Sequence, residues 1–181
     1  GGASPWAFEW AAIDPQDNVI VYDEVYMTTT NVDALVALAY PKMFDEEMKP
    51  YTFRSKVIDY ENKIAAEDLR RRGIAFTNAQ KHGKAGSIHR LSSYLHPHPK
   101  HHFPEWHHHA GKANSPRMFF SVNVRNGIRE LPQQRWKEDL TNERMKDEPD
   151  RTIANHATDC YLYIARELPE VTKLRPAPGP D

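Results

Sequence analysis

Two hydrophobic rhythms run along this 181-residue chain, one of period two and one of period 3.6. Residues 5–13 (PWAFEWAAI) alternate, with Trp6, Phe8 and Trp10 on one face and Ala7, Glu9 and Ala11 on the other, which predicts a strand. The polar DPQDN that follows predicts a turn, and residues 18–26 (NVIVYDEVY) predict a second strand that closes a hairpin. Asn31 is placed to cap a short helix, VDALVALAY, which Pro41 ends. Residues 53–59 (FRSKVID) read as a third strand with Asp59 at its C-terminal end. IAAEDLRRRG reads as a helix stopped by Gly73, and IAFTNA as a returning strand. Strand, helix and strand in about 25 residues predict a right-handed parallel crossover.

After a flexible KHGKAG turn, SIHRLSSYL predicts a further helix. Residues 96–116 (HPHPKHHFPEWHHHAGKANSP) are rich in Pro and His and have no period, so they read as an inserted loop or extended arm. MFFSV looks like a short strand, residues 124–140 like mixed helix and turn, and KDEPDRT like a polar connection. In residues 153–168 (IANHATDCYLYIAREL), Ala157, Cys160, Tyr161, Ile164 and Leu168 form one apolar helical stripe. His156, Asp159 and Tyr163 fall within roughly 60° on its flank. The tail, residues 171–181, buries nothing and is expected to be disordered. No internal repeat is present, so residues 1–170 read as one α/β domain, a mixed sheet with helices on its faces.

Composition narrows the function classes. The formal net charge of −1 names no partner. Between Lys81 and Lys112, however, five Lys/Arg stand against one acid, and nine of the ten histidines lie there. That stretch is a candidate anion-facing surface, with a solvated loop as the alternative. A lone cysteine, Cys160, excludes an internal disulfide framework and suits a reducing cytosol. No apolar run reaches the ~18 residues of a membrane span, and no signal peptide is visible, so a soluble intracellular chain is expected. There is no GxxxxGK[ST]; AGKANS falls short of it, so no ATP-binding loop of that kind is expected. The abrupt GGASPW opening, without an initiator Met, suggests a fragment of something longer.

The acids at element ends carry the candidate chemistry. Asp59 closes a strand, and in open α/β sheets chemistry collects outside the carboxyl ends of strands. Asp159 lies on a helix flank that can face the same edge. Two carboxylates about 4 Å apart repel by about 4 kcal/mol at an effective dielectric near 20, so such a pair needs a cation, a shared proton or a basic partner. Hard oxygen donors with no cysteine cluster suit Mg²⁺ or Mn²⁺ better than zinc. Caps and surface ion pairs are the alternative reading of both residues.

The order of VYDEVY, then VIDYENKIAAEDLRRRGIAFTNAQKHGKAGSIHRLSSYL, then an irregular stretch, then NHATDCYLYIARE resembles the nuclease domain of tailed-phage large terminases. The most specific piece is the closing motif, usually Asp-His-x-x-Asp ahead of an aromatic-containing helix. The resemblance covers nearly the whole chain and implies an RNase H-like fold. By the same resemblance, Asp59 matches the acid on the family's fourth strand and Asp159 the acid on its last helix. His156 matches the histidine at the metal site. The family's remaining acid belongs to a first central strand that GGASPWAFEW would follow, so that strand is expected upstream of Gly1. Asn155 is a departure, since the family often has Asp there.

The implied activity is metal-assisted phosphodiester hydrolysis with two Mg²⁺ or Mn²⁺ ions. Asp59 and Asp159 would be the metal ligands, and His156 a metal ligand, a carboxylate partner or a proton carrier. The implied partners are double-stranded DNA, an N-terminal packaging ATPase domain absent here, a small terminase subunit and a portal ring, acting in the host-cell cytoplasm. Lys81, Lys84 and Arg90 are the candidate DNA-phosphate contacts, with solubilising surface cations as the alternative. Another RNase H-like nuclease of resolvase or transposase type, or a non-catalytic DNA-binding or portal-docking module, are the competing readings.

Other residues are weaker candidates. Glu9, Asp23 and Glu24 sit on the first two strands and are either near a metal cluster or outward-facing. Asp14 and Asp17 read as turn residues, and Arg70, Arg71 and Arg72 as cations at a helix C-terminus. The HxH, HH and HHH runs of the arm could bind Zn²⁺ or Ni²⁺, or face DNA or a partner, although Pro97, Pro99 and Pro104 deny them a fixed spacing. Trp106 is the residue expected to anchor the arm to the body.

Overall fold

A computed structural model describes residues 4–59, 63–79, 83–139, 144–150 and 153–169. The chain forms two compact units, residues 1–8 with 25–82, and residues 9–24 with 83–181. Two long strands, β1 (Trp6–Ile13) and β2 (Val19–Met27), contribute residues to both. The turn joining them is built as the DPQDN pattern predicts. Asp14 Oδ1 accepts from the backbone N–H groups of Gln16 at 2.9 Å and Asn18 at 2.8 Å, and Asp17 takes a positive φ of 64°. Asp14 and Asp17 are turn residues.

In the first unit, α1 (Val32–Ala39) begins at Asn31, whose side-chain oxygen accepts from Asp33 N at 2.9 Å and Ala34 N at 3.3 Å. The predicted crossover is present: β3 (Val57–Ile58) and β4 (Thr77–Asn78) pair in parallel around α2 (Lys63–Arg71). Both strands are shorter than the patterns FRSKVID and IAFTNA suggest. The apolar residues flanking them serve a core instead: Met43, Leu69 and Ile74, with Phe8, Phe44, Phe53, Ile58 and Phe76 packed against them. Gly73 ends α2 with φ of 89°, and Ile74 N then bonds back to Leu69 O at 2.9 Å. Arg70 and Arg71 pair with Glu67 one turn back, and Arg72 pairs with Asp33. The arginines thus brace their own helix end.

In the second unit, β7 (Met118–Phe120) runs parallel to β2, with Val19 opposite Met118 and Val21 opposite Phe120, giving the sheet order β1-β2-β7. Val19, Val21, Met118, Phe119, Val124 and Tyr161 are buried here. α3 (Lys84–Leu95) starts three residues earlier than SIHRLSSYL implies and packs on α5 (His156–Glu167).

Two stretches differ from their sequence patterns. The His/Pro-rich insertion is a hairpin, β5 (His98–His102) against β6 (Ala113–Ser115), with a register irregularity between His98 and His102. Its tip is stapled by Phe103, whose N–H bonds to Lys112 O at 2.9 Å and whose carbonyl accepts from Gly111 N at 3.0 Å. Trp106 packs on Phe119 with ring centroids 5.0 Å apart and donates Nε1–H to Asp14 Oδ2 at 3.2 Å, so it does anchor the arm. The second is residues 124–150. A short helix, α4 (Arg125–Glu130), and a 3₁₀ turn (Leu131–Gln133) lead into β8 (Trp136–Asp139). This strand pairs antiparallel with β9 (Arg144–Pro149), where the sequence suggested only a polar connection. Charged residues without apolar alternation conceal that hairpin, because pairing needs only the backbone. The tail beyond residue 169 lies outside the described residues.

Candidate functional site

α5 brings the predicted acid and histidine to its first turn. Its buried face is Ala157, Thr158, Tyr161, Leu162 and Ala165, with Leu168 beyond the end. Cys160 and Ile164, part of the predicted stripe, are only half-buried, so the helix is turned by about one residue from that expectation. The rotation leaves His156, Asp159 and Tyr163 half-buried on the flank.

An Asn at the N-cap ordinarily offers its oxygen to the first helical N–H groups. Asn155 does not; its amide Nδ2 donates to Asp159 Oδ2 at 3.1 Å. The vacated capping role falls to Glu130 at the end of α4, whose Oε2 accepts from Ala157 N at 2.9 Å. Glu130 is 2% exposed and 27 residues away in sequence, and nothing in the local pattern marks it.

Asp159 Oδ1 accepts from the Lys84 ammonium at 3.2 Å, with the two side chains 32% and 45% exposed. Lys84 opens α3, which is braced along α5 by further bonds. Arg90 Nη1 donates to the carbonyls of Arg166 at 3.1 Å and Leu168 at 3.0 Å, and Arg166 Nε donates to Ser87 Oγ. Arg90 therefore closes the C-terminal end of α5, where carbonyls lack helical partners. The structure thus assembles Lys84, Asn155, His156 and Asp159 in the second unit. Asp59 follows β3 in the first unit, and Lys81 lies outside the described residues.

A second acidic group surrounds Tyr161 on the buried face. Glu24 accepts from Asn126 N at 2.7 Å, Asn126 Nδ2 at 3.0 Å and Gly127 N at 3.2 Å, holding the start of α4. The oxygens of Glu9 are buried beside the Tyr161 hydroxyl. Burial first, and then the charge of Glu24, push the Glu9 carboxyl up to about 9, which the Tyr161 hydroxyl offsets only in part. Burial and the same two glutamates raise the Tyr161 hydroxyl above its usual range. The Tyr161 hydroxyl lies over Gly127, where a Cβ would come within 1.5 Å of it. Burial thus favours the protonated form of the Glu9 carboxyl.

As a donor set, Asp159 suits a hard divalent cation: a carboxylate oxygen, part-exposed, held by a neutral amide and one ammonium. Among the described residues, no three His, Cys, Asp or Glu side chains converge as a complete metal-binding group, in the histidine hairpin or elsewhere. Among the described residues, no helix is long and apolar enough to cross a membrane.

No protein family model matches the sequence, and no curated protein matches it significantly. Solved structures do. The large terminase of a thermophilic bacteriophage, in complex with ADP, aligns with 92% of this chain at 14% identity and a TM-score of 0.65. A second crystal form of the same terminase gives 0.66. The chain spans 37% of that terminase's length. The g2p (large terminase) nuclease domain of bacteriophage SPP1, solved with bound Mn, aligns with 93% of this chain and 82% of its own length, at 14% identity and a TM-score of 0.60. In fold, this chain is similar to the nuclease domain of those large terminases, a mixed α/β architecture of RNase H-like type.

Proposed function

We propose that this domain is the metal-dependent endonuclease of a viral DNA-packaging terminase, hydrolysing phosphodiester bonds of concatemeric double-stranded DNA when packaging starts and ends. The observation that carries the reading is the likeness, over 93% of the chain, to a terminase nuclease domain solved with bound Mn. Asp59 and Asp159 are the proposed ligands of two Mg²⁺ or Mn²⁺ ions, with His156 one turn from Asp159. When bound, such ions supply an activated water and neutralise charge at the leaving oxygen.

The chain's own residues do the positioning. Asn155 fixes Oδ2 of Asp159, and Oδ1, which faces the Lys84 ammonium, is the oxygen proposed to meet a cation. The start of α5 favours a carboxylate there through its backbone dipole. Glu130 holds the turn that carries both Asp159 and His156. His156 is proposed to accept or relay a proton beside the carboxylate. Lys81 and Lys84 are the proposed phosphate-facing cations; Arg90, the third expected from the sequence, has Nη1 engaged by the carbonyls of Arg166 and Leu168 and is proposed to brace α5 instead. The proposed partners are a packaging ATPase domain, a small terminase subunit and a portal ring, in the host cytoplasm.

The test is nicking of supercoiled plasmid with Mn²⁺, with Mg²⁺ and with EDTA. Cutting with either metal and none in EDTA is the expected result. A protein that binds duplex DNA but cuts under none of these conditions favours a non-catalytic DNA-binding or docking module instead.

A further inference from the structure

We propose that Lys84 is a built-in competitor for the cation at Asp159: its ammonium holds the carboxylate in place and must leave for a divalent ion to load. This rests on reading Asp159 as a cation ligand. The two oxygens of Asp159 are held by different donors, Oδ1 by the Lys84 ammonium at 3.2 Å and Oδ2 by the Asn155 amide at 3.1 Å. The amide belongs to the turn that opens the same helix, and it carries no charge. The ammonium comes from another helix and is a compact charge on a long flexible stem.

The position of Lys84 is built rather than accidental. It follows Gly83, whose φ of 76° sets the entry to α3. Arg90 and Ser87 then fasten α3 along α5. With both helices fastened, the Lys84 stem begins within reach of Asp159. Two cations at one carboxylate oxygen repel strongly, so a loading ion displaces the ammonium. Metal affinity is therefore lower than the acids alone would set. The displaced lysine, whose side chain is 45% exposed even when paired, is then free for a phosphate.

The test is direct Mn²⁺ binding by the whole chain, followed by the electron paramagnetic resonance signal of free Mn²⁺. Wild type is compared with Lys84→Met, Lys84→Arg, Asp159→Asn and, as a charge control, Lys112→Met. Lys84→Met is expected to bind Mn²⁺ roughly threefold more tightly or better, within the range of an exposed ion pair. Lys84→Arg and Lys112→Met keep wild-type affinity, and Asp159→Asn weakens binding by about tenfold or more. Three results overturn the proposal: Lys84→Met no tighter than wild type, Lys112→Met tightened as much, or Lys84→Arg tightened like Lys84→Met. If Asp159→Asn weakens binding while Lys84→Met does not tighten it, the competitor fails and the site reading stands. If Asp159→Asn leaves binding unchanged, both fall.

Discussion

Glu130 and Ala157 are joined by a single 2.9 Å hydrogen bond from the Ala157 N–H to the buried Glu130 carboxylate. That bond replaces the cap that Asn155 withholds, and it ties α4 to the turn bearing His156 and Asp159. Glu130→Ala should cost about 1.5–3 kcal/mol, the usual worth of a hydrogen bond to a charged group, and Glu130→Gln less, since an acceptor remains. Urea denaturation checks the order. Equal stability of Glu130→Ala and wild type would remove the cap from the explanation of α5.

Glu9 and His101 give the domain two opposite pH dependences. The folded pKa of Glu9 is raised from 4.5 to about 9, so the folded state holds a proton that the unfolded state releases. Its contribution is full below about 4.5 and is lost as pH rises toward 9. Glu9→Gln should therefore raise Tm at pH 8 by a few degrees, roughly what 1 kcal/mol yields at this size, and change little at pH 4.5. His101 is depressed to about 4 by burial first and then by Arg117, whose Nε lies 3.3 Å from the imidazole. Its contribution is present above 6.5 and is lost as pH falls through 4. His101→Gln should flatten the loss between those values. Thermal melts of both variants from pH 4 to 9 read the two slopes separately.

Trp106 should decide whether the histidine hairpin stays ordered. It joins the hairpin to Phe119 and to Asp14 in the β1–β2 turn. Trp106→Ala should speed trypsin cleavage at Lys100 and Lys112 by several-fold, with a Tm loss of only a few degrees because the indole is half exposed. Unchanged cleavage would mean that the remaining contacts, His107 on Phe119 and Arg117 with His101 among them, hold the hairpin without the indole.

Where chemistry is local, the sequence is a sufficient guide. Asn31 caps α1 and Asp14 closes its turn because the side chain and the backbone it satisfies lie two to four residues apart. The parallel crossover around α2 is legible for the same reason, as are Asp159 and His156 on one flank of α5. What distant partners decide is not legible. The histidine hairpin depends on Phe119 and Asp14, far from the prolines that make the tract look irregular. Hairpin β8–β9 carries almost no apolar signal. Glu130 reaches α5 across 27 residues, and the pairing of Lys84 with Asp159 spans 75, so a lysine read as a phosphate contact also proves to be a carboxylate partner.

The most direct measurement is the rate of Mn²⁺-dependent plasmid nicking by wild type beside Asp59→Ala and Asp159→Ala, with folding of each variant confirmed by circular dichroism. Loss of either carboxylate should slow cutting by about 100-fold or more, since each removes a proposed ligand of the ions that stabilise the transition state. Cutting at the wild-type rate by both folded variants would contradict the assignment.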